Sequence, residues 1–276
     1  MEESTAEFAR EELLVEAPPL KAIVKVTVAC KTDLGRVREN NEDKFEYFIP
    51  EDESQLARRG MVFIVCDGMG GHSAGQIASE LTAKTFIDVY LNHHAEQPET
   101  AAESAVIAAN RYVLDVGNAV PNRRGMGTTL SALILVQGRA IAVHVGDSRI
   151  YRLRSGLLSQ ITRDHTWVEE NLANGTLTPE DVVNHPYSHV LTRAIGVEDG
   201  ILPDIESREI EPNDTFLLCS DGLINHVADD AIAEMLSLAP SQAAWRLVNS
   251  ALQDGGRDNC TVLIVRIDSI EPPGTI

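Results

Sequence analysis

Apolar residues along the chain gather in short, nearly continuous runs. The clearest are "AIVKVTVAC" (22–30), "MVFIVCD" (61–67), "TTLSALILV" (128–136), "RAIAVHVGD" (139–147), "RIYRLRSG" (149–156), "DTFLLCSDG" (214–222) and "NCTVLIVRI" (259–267). Their length and β-branched content predict strands. "KFEYF" (44–48) reads as a further strand. Gly138 and the pair Ser155-Gly156 separate neighbouring runs by so little that both mark hairpins. Helical apolar spacing and start signals predict helices over Ala74–Tyr90, Pro98–Val116, Ala228–Leu238 and Gln242–Gln253. Strands in hairpin order with helices in pairs exclude strict βαβ alternation, and the pattern predicts antiparallel sheets with helices packed outside. The stretch 162–196 is irregular and reads as short helices and turns inserted over a surface.

Four of the strand-like runs begin or end on an aspartate. Asp67 closes one, Asp147 follows another, Asp221 follows a third and Asp258 precedes the last. Glycine adjoins three of them, in Asp67-Gly68, Gly146-Asp147 and Asp221-Gly222. A fifth acidic pair, Glu42-Asp43, stands just before "KFEYF". One aspartate at a strand end is a common turn former. Carboxylates repeated at the rim of one sheet repel each other unless cations neutralise them. An all-oxygen set suits hard cations such as Mg²⁺ or Mn²⁺, not zinc. Glycine beside an aspartate lets a backbone carbonyl or water approach such an ion.

Composition agrees with a globular chain of this kind. Of 276 residues, 42 are acidic and 23 basic, a net charge of −19 that disfavours nucleic acid and anionic membrane as partners. No apolar run reaches the ~18–20 residues of a membrane span. The acidic start lacks a secretory signal pattern, so a cytoplasmic location is expected. The four cysteines Cys30, Cys66, Cys219 and Cys260 form no CxxC pair and read as reduced core thiols. There is no P-loop and no HExxH. Residues 1–20 form an acidic arm, 21–268 one domain, and 269–276 a tail.

The segments "GRVRENNED", "VCDGMGGHSAGQIAS", "GMGTTLSALIL", "VHVGDSRIYRL", "TRDHTWVEE", "HVLTRAIG", "LLCSDGL" and "GGRDNCTVLIV" follow one another across residues 35–265. Together they resemble the bacterial-type metal-dependent protein phosphatases of the 2C class. The resemblance implies an α+β fold, a four-layer α-β-β-α sandwich of two antiparallel sheets flanked by helix pairs. It implies a serine/threonine phosphatase with two Mn²⁺ or Mg²⁺ ions and a weak third. Carried over by position, Asp67 bridges the two ions. The Gly68 carbonyl, with Asp43 and water held near Glu42, completes one, and Asp221 and Asp258 hold the other. Arg38 matches the phosphate-binding arginine, with Arg36 its rival in the same loop. Asp147 matches a ligand of the third ion, whose usual acidic partner is replaced by Asn225, which implies activity at millimolar metal. His72 is the candidate leaving-group acid. The implied chemistry is direct attack on phosphorus by a hydroxide bridging the metals, with no enzyme nucleophile. The stretch 162–196 resembles the family's flap beside the active site. The implied partners are phosphorylated proteins and a serine/threonine kinase that the enzyme opposes, and the implied state is a monomer. His165 is expected to order the flap's start, and His144 to be a satisfied core residue.

Overall fold

The structure is a computed structural model and describes residues 17–70, 74–182 and 185–273. One sheet joins β1 (Ile23–Asp33), β11 (Cys260–Glu271), β10 (Thr215–Cys219), β7 (Arg149–Arg154) and β8 (Leu157–Gln160), in that order. The other joins β2 (Asp43–Phe48), β3 (Met61–Met69), β5 (Leu130–Val136), β6 (Arg139–Val145) and β9 (Asp204–Glu209), with the short β4 (Gly127–Thr128) paired to the end of β3. Every pairing is antiparallel.

The strand runs are continuously apolar because each buries both faces. Along β3, Val62, Ile64 and Cys66 enter a core shared with α2 (Ala74–Asn92) and α3 (Pro98–Ala119), while Met61, Phe63 and Val65 enter the core between the sheets. Along β11, Val262 and Ile264 face α7 (Asp229–Leu236) and α8 (Pro240–Gln253), and Leu263, Val265 and Ile267 face the other sheet. A side-chain period of two therefore feeds three cores, and the result is the four-layer α-β-β-α sandwich.

Both expected hairpins form. Gln137-Gly138 and Ser155-Gly156 each carry two positive φ angles, the geometry of a tight two-residue turn. The four expected helices are present, with ends shifted by a few residues. The last strand runs to Glu271, opposite Ile23, so three residues of the expected tail belong to the sheet. Of the acidic arm, residues 1–16 lie outside the described residues, and Gln137 anchors the chain after it by accepting from Lys21 N and donating to Pro19 O. Three cysteines are buried and unpaired, but Cys30 is exposed and is not a core thiol. The stretch 162–196 carries α4 (Trp167–Ala173) and α5 (Pro179–Val182). Among the described residues no helix is long and apolar enough to cross a membrane.

Some elements were not visible in the hydrophobic pattern. The edge strand β9 reads "DIESRE", with no buried residue in it. The short α1 (Glu53–Arg59) is set by Asp52, which caps it by accepting from Gln55 N at 2.8 Å.

Candidate active site

The strand-end aspartates meet at one end of the sandwich. Asp67 near the end of β3, Asp147 after β6, Asp221 after β10 and Asp258 before β11 all line one cleft of about 860 Å³. Asp221 opens the short α6 (Asp221–Ile224). Glu42, Gly68 and Arg38 line the same cleft. The structure thus brings together every expected site residue it describes except Asp43. His72 lies outside the described residues.

Asp43 is opposite Asp67 in the β2–β3 ladder and is the first of the carboxylates that raise Asp67, but it does not itself line the cleft. It lines a separate hollow with Thr32 and Asn41, and its Oδ2 accepts from Ser220 Oγ at 2.7 Å. Of the acidic pair, only Glu42 lines the cleft. Asp43 Oδ1 is buried without a hydrogen-bond partner.

Several residues that the sequence did not single out hold these groups in place. Asp67 N donates to Thr129 Oγ1 at 2.9 Å, and Thr128 Oγ1 donates to Asp67 O at 2.8 Å. The paired threonines of "GMGTT" therefore clamp the aspartate's backbone from both sides. Asn259 ties the front loop to β11. It accepts from Glu42 N at 2.8 Å and donates to Leu34 O and Asn40 O at 2.8 and 3.0 Å. His226 accepts from Arg257 N at 3.3 Å and bonds Asp254 at 2.9 Å, so it pins the turn that leads into Asp258. His189 approaches Asp221 at 4.0 Å from the flap. Nothing in the spacing marks these residues, because each acts across a long sequence separation.

Charge is concentrated here. Burial first, and then the neighbouring carboxylates, hold Asp67 well above the ordinary aspartate range and push Asp147 up to about 7. Asp43 also reaches about 7, again chiefly through burial. Asp221 is raised by burial and by Asp258. The nearest opposing charge is Arg38, half-exposed, whose Nη2 donates to Asp258 Oδ2 at 2.6 Å. Asn225 Nδ2 donates to Asp221 Oδ2 at 3.1 Å, and since a carboxylate only accepts, the amide nitrogen must face it.

Among the described residues no three Asp, Glu, His or Cys side chains stand at the spacing of a closed metal cage. Mg²⁺ and Mn²⁺ do not require one, because hard divalent ions keep several waters and are held by one or two carboxylates. The donor chemistry fits them: mutually repelling buried carboxylates and a glycine at closest backbone approach. A Cβ on Gly68 would stand 2.2 Å from Gly75 O and 2.6 Å from Glu42 O.

His165 behaves as expected. Its Nδ1 accepts from Gly146 N at 3.1 Å, and its backbone ties the start of the flap to Gly146 after β6 and to Thr192 near the flap's end. His144 departs from expectation in part. Nδ1 pairs with Ser131 Oγ at 3.0 Å, but Nε2 is buried without a partner.

A fold of this topology with an acidic cleft at the strand ends defines a metal-dependent phosphohydrolase. Residues 36–254 match the protein phosphatase 2C family. The serine/threonine phosphatase stp of Listeria monocytogenes is 37% identical over 244 residues, which cover 86% of this chain and 94% of that protein. The crystal structure of the Mycobacterium tuberculosis serine/threonine phosphatase PstP superposes with a TM-score of 0.79 at 35% identity, over 90% of this chain and 100% of that one. The catalytic domain of PstP in complex with two manganese ions gives a TM-score of 0.77 at 34% identity, over 90% and 100%. The chain belongs to the protein phosphatase 2C family. It is an enzyme, a metal-dependent protein phosphatase.

Proposed function

We propose that this cleft removes phosphate from phosphoserine and phosphothreonine in proteins, using two Mn²⁺ or Mg²⁺ ions held by Asp67, the Gly68 carbonyl, Asp221 and Asp258. The observation that carries the assignment is the convergence of four strand-end aspartates on one cleft, three of them with raised affinity for protons. Protons and cations compete for such a cluster, so the charge that burial penalises is what a divalent ion relieves. Bound there, a pair of divalent ions supplies an activated water and stabilises charge at phosphorus.

The chain's own residues supply the rest. Thr128, Thr129 and Ser148 fix the Asp67 backbone, so its carboxylate has little freedom to turn away. Asn259 sets the loop bearing Arg38 and Glu42 against β11. Arg38 presents a planar fork suited to two phosphoryl oxygens, and its pairing with Asp258 aims it across the cleft mouth. Asp43, held by Ser220, adds negative charge beside Asp67. Asp147 contributes to a third, weak site beside Asn225. A neutral amide that donates to Asp221 brings no charge of its own, so the third ion is held loosely and activity calls for millimolar metal. The substrates are products of serine/threonine kinases, and the enzyme opposes such a kinase. The enzyme is proposed to act as a monomer.

The deciding experiment is phosphate release from a phosphothreonine peptide with and without Mn²⁺, then with a chelator. Release that requires Mn²⁺, ceases on chelation and is lost in Asp221→Asn supports the assignment. An active Asp221→Asn enzyme overturns it.

A further inference from the structure

A groove of about 390 Å³ opens directly off the catalytic cleft. The two share Met69 and Leu191 as lining residues. The groove then follows the chain from Thr192 to Leu202. Its walls are largely apolar, and Val197 and Leu202 are 45% and 62% exposed, large side chains left facing solvent beside a reaction centre. Its one arginine is already committed, since Arg193 Nη1 donates to Asp204 Oδ1 at 2.7 Å and to Leu202 O at 3.3 Å. Asp199 is engaged with Arg111. The Glu198 carboxylate is exposed and has no ion pair among the described residues. The groove therefore offers apolar surface and one uncommitted negative charge.

It is also built to stay in place. Asn110 on α3 is 3% exposed and uses both ends of its amide on this wall, accepting from Gly196 N at 2.7 Å and donating to Glu198 O at 2.8 Å. Gly196 takes a φ of +84°, and a Cβ there would stand 2.3 Å from Val113 Cγ1, so the wall packs directly on α3. Ile195 exchanges backbone hydrogen bonds with Thr128, at 2.9 and 3.0 Å. Thr128 is also the residue whose hydroxyl holds Asp67 O. One residue thus fixes both the groove wall and the central aspartate, and the distance between groove and reaction centre is preset.

We propose that this groove reads the substrate: it seats an apolar side chain near the phosphorylated residue, with a neighbouring lysine or arginine held by Glu198. The proposal rests on the phosphatase reading above and names what that reading leaves open, the flanking sequence the enzyme prefers. Continuity with the cleft and charge complementarity commit the groove to the substrate's own chain. An apolar pocket distinguishes side chains differing by a single methylene by about 10-fold or more.

The test pairs p-nitrophenyl phosphate, too small to reach the groove, with phosphothreonine peptides in which leucine, alanine or aspartate is scanned through the flanking positions, with and without an added lysine. The wild-type enzyme is expected to favour leucine at one position by about 10-fold in kcat/KM over alanine. Val197→Asp and Leu202→Asp should erase that preference and leave p-nitrophenyl phosphate turnover unchanged. Glu198→Lys should erase the preference for lysine alone. Both apolar positions are exposed, and Leu202→Ala serves as a milder second variant. Equal turnover of all peptides by the wild type overturns the proposal, as does equal loss on both substrate types in the variants. A dimer in solution that Leu202→Asp dissociates overturns it too, since a second copy then fills the groove. If wild-type enzyme with Mn²⁺ hydrolyses neither substrate, it is the phosphatase reading that fails.

Discussion

At the scale of single residues, the site depends on uncharged groups as much as on its carboxylates. Thr129 is 2% exposed, accepts from Asp67 N and shares a 2.6 Å hydrogen bond with Ser148 Oγ. Thr129→Val keeps the shape and removes the hydroxyl, leaving a buried N–H and a serine hydroxyl short of a partner. Leaving such groups unsatisfied costs roughly 1–3 kcal/mol each, so the urea midpoint should fall clearly and Mn²⁺ should bind more weakly by calorimetry. A midpoint equal to wild type would show that Asp67 does not need this clamp. Asn225 makes the opposite case. Asn225→Asp exchanges a donor to Asp221 for a second carboxylate beside it. The expected outcome is saturation at lower Mn²⁺, read as the metal dependence of phosphate release, together with a less stable metal-free protein through like-charge repulsion. The aspartates themselves were legible in the sequence because they punctuate apolar runs. The groups that hold them were not. Asn259 reaches residues more than two hundred positions away, and no local pattern records that contact.

At the scale of elements, β3 and α2 meet more closely than any side chain allows. A Cβ on Gly75 would lie 2.7 Å from Gly68 C and 2.8 Å from the Glu42 carboxylate. The glycine is needed for this approach, since it sets the start of α2 against the end of β3 with Glu42 between them. Gly75→Ala should therefore act as overpacking, with a loss of about 1–3 kcal/mol in chemical denaturation and a displaced Glu42. An alanine variant as stable as wild type would mean that the helix can shift without consequence. Gly68 beside Asp67 was visible in the sequence as a place where backbone can come close. Its reason, the contact between Gly68 and Gly75, appears only once the two elements are packed. The strands themselves were legible for a physical reason: each is buried on both faces, and the apolar run shows it. The edge strand β9 was not, because none of its residues is buried and all but Ile205 are polar or charged. Asp43 and Glu42, one residue apart, could not be told apart in the sequence, because which of the two lines the cleft appears only once the strand ends are packed together.

At the scale of the whole molecule, folding draws carboxylates together in a chain already carrying a net charge of −19. That arrangement ties stability to pH and to metal. Asp43 and Asp147, ordinarily near 3.8, titrate at about 7 in the folded protein. A raised value means that the folded state binds protons more tightly than the unfolded one. The stability these groups contribute is fully present below about pH 4 and is lost as pH rises through 7. His144 has the opposite sign. Burial holds it at about 3 against an ordinary 6.5, so its contribution is present above 6.5 and fades as pH falls toward 3. Divalent ions compete with the carboxylate protons and leave His144, which pairs with Ser131 inside β5 and β6, unaffected. The difference between metal-bound and metal-free protein therefore isolates the cluster. At pH 6 bound protons oppose the ions, and at pH 8 they have left. The melting temperature gained on adding Mn²⁺ should be larger at pH 8 than at pH 6. For a domain of this size each kcal/mol corresponds to about 2–4 °C, so several degrees separate the two conditions if a single such carboxylate governs the exchange. Scanning calorimetry at fixed ionic strength measures it directly. An equal gain at both values would mean that Mn²⁺ binds without displacing these protons, and the strand-end cluster would not be where it binds.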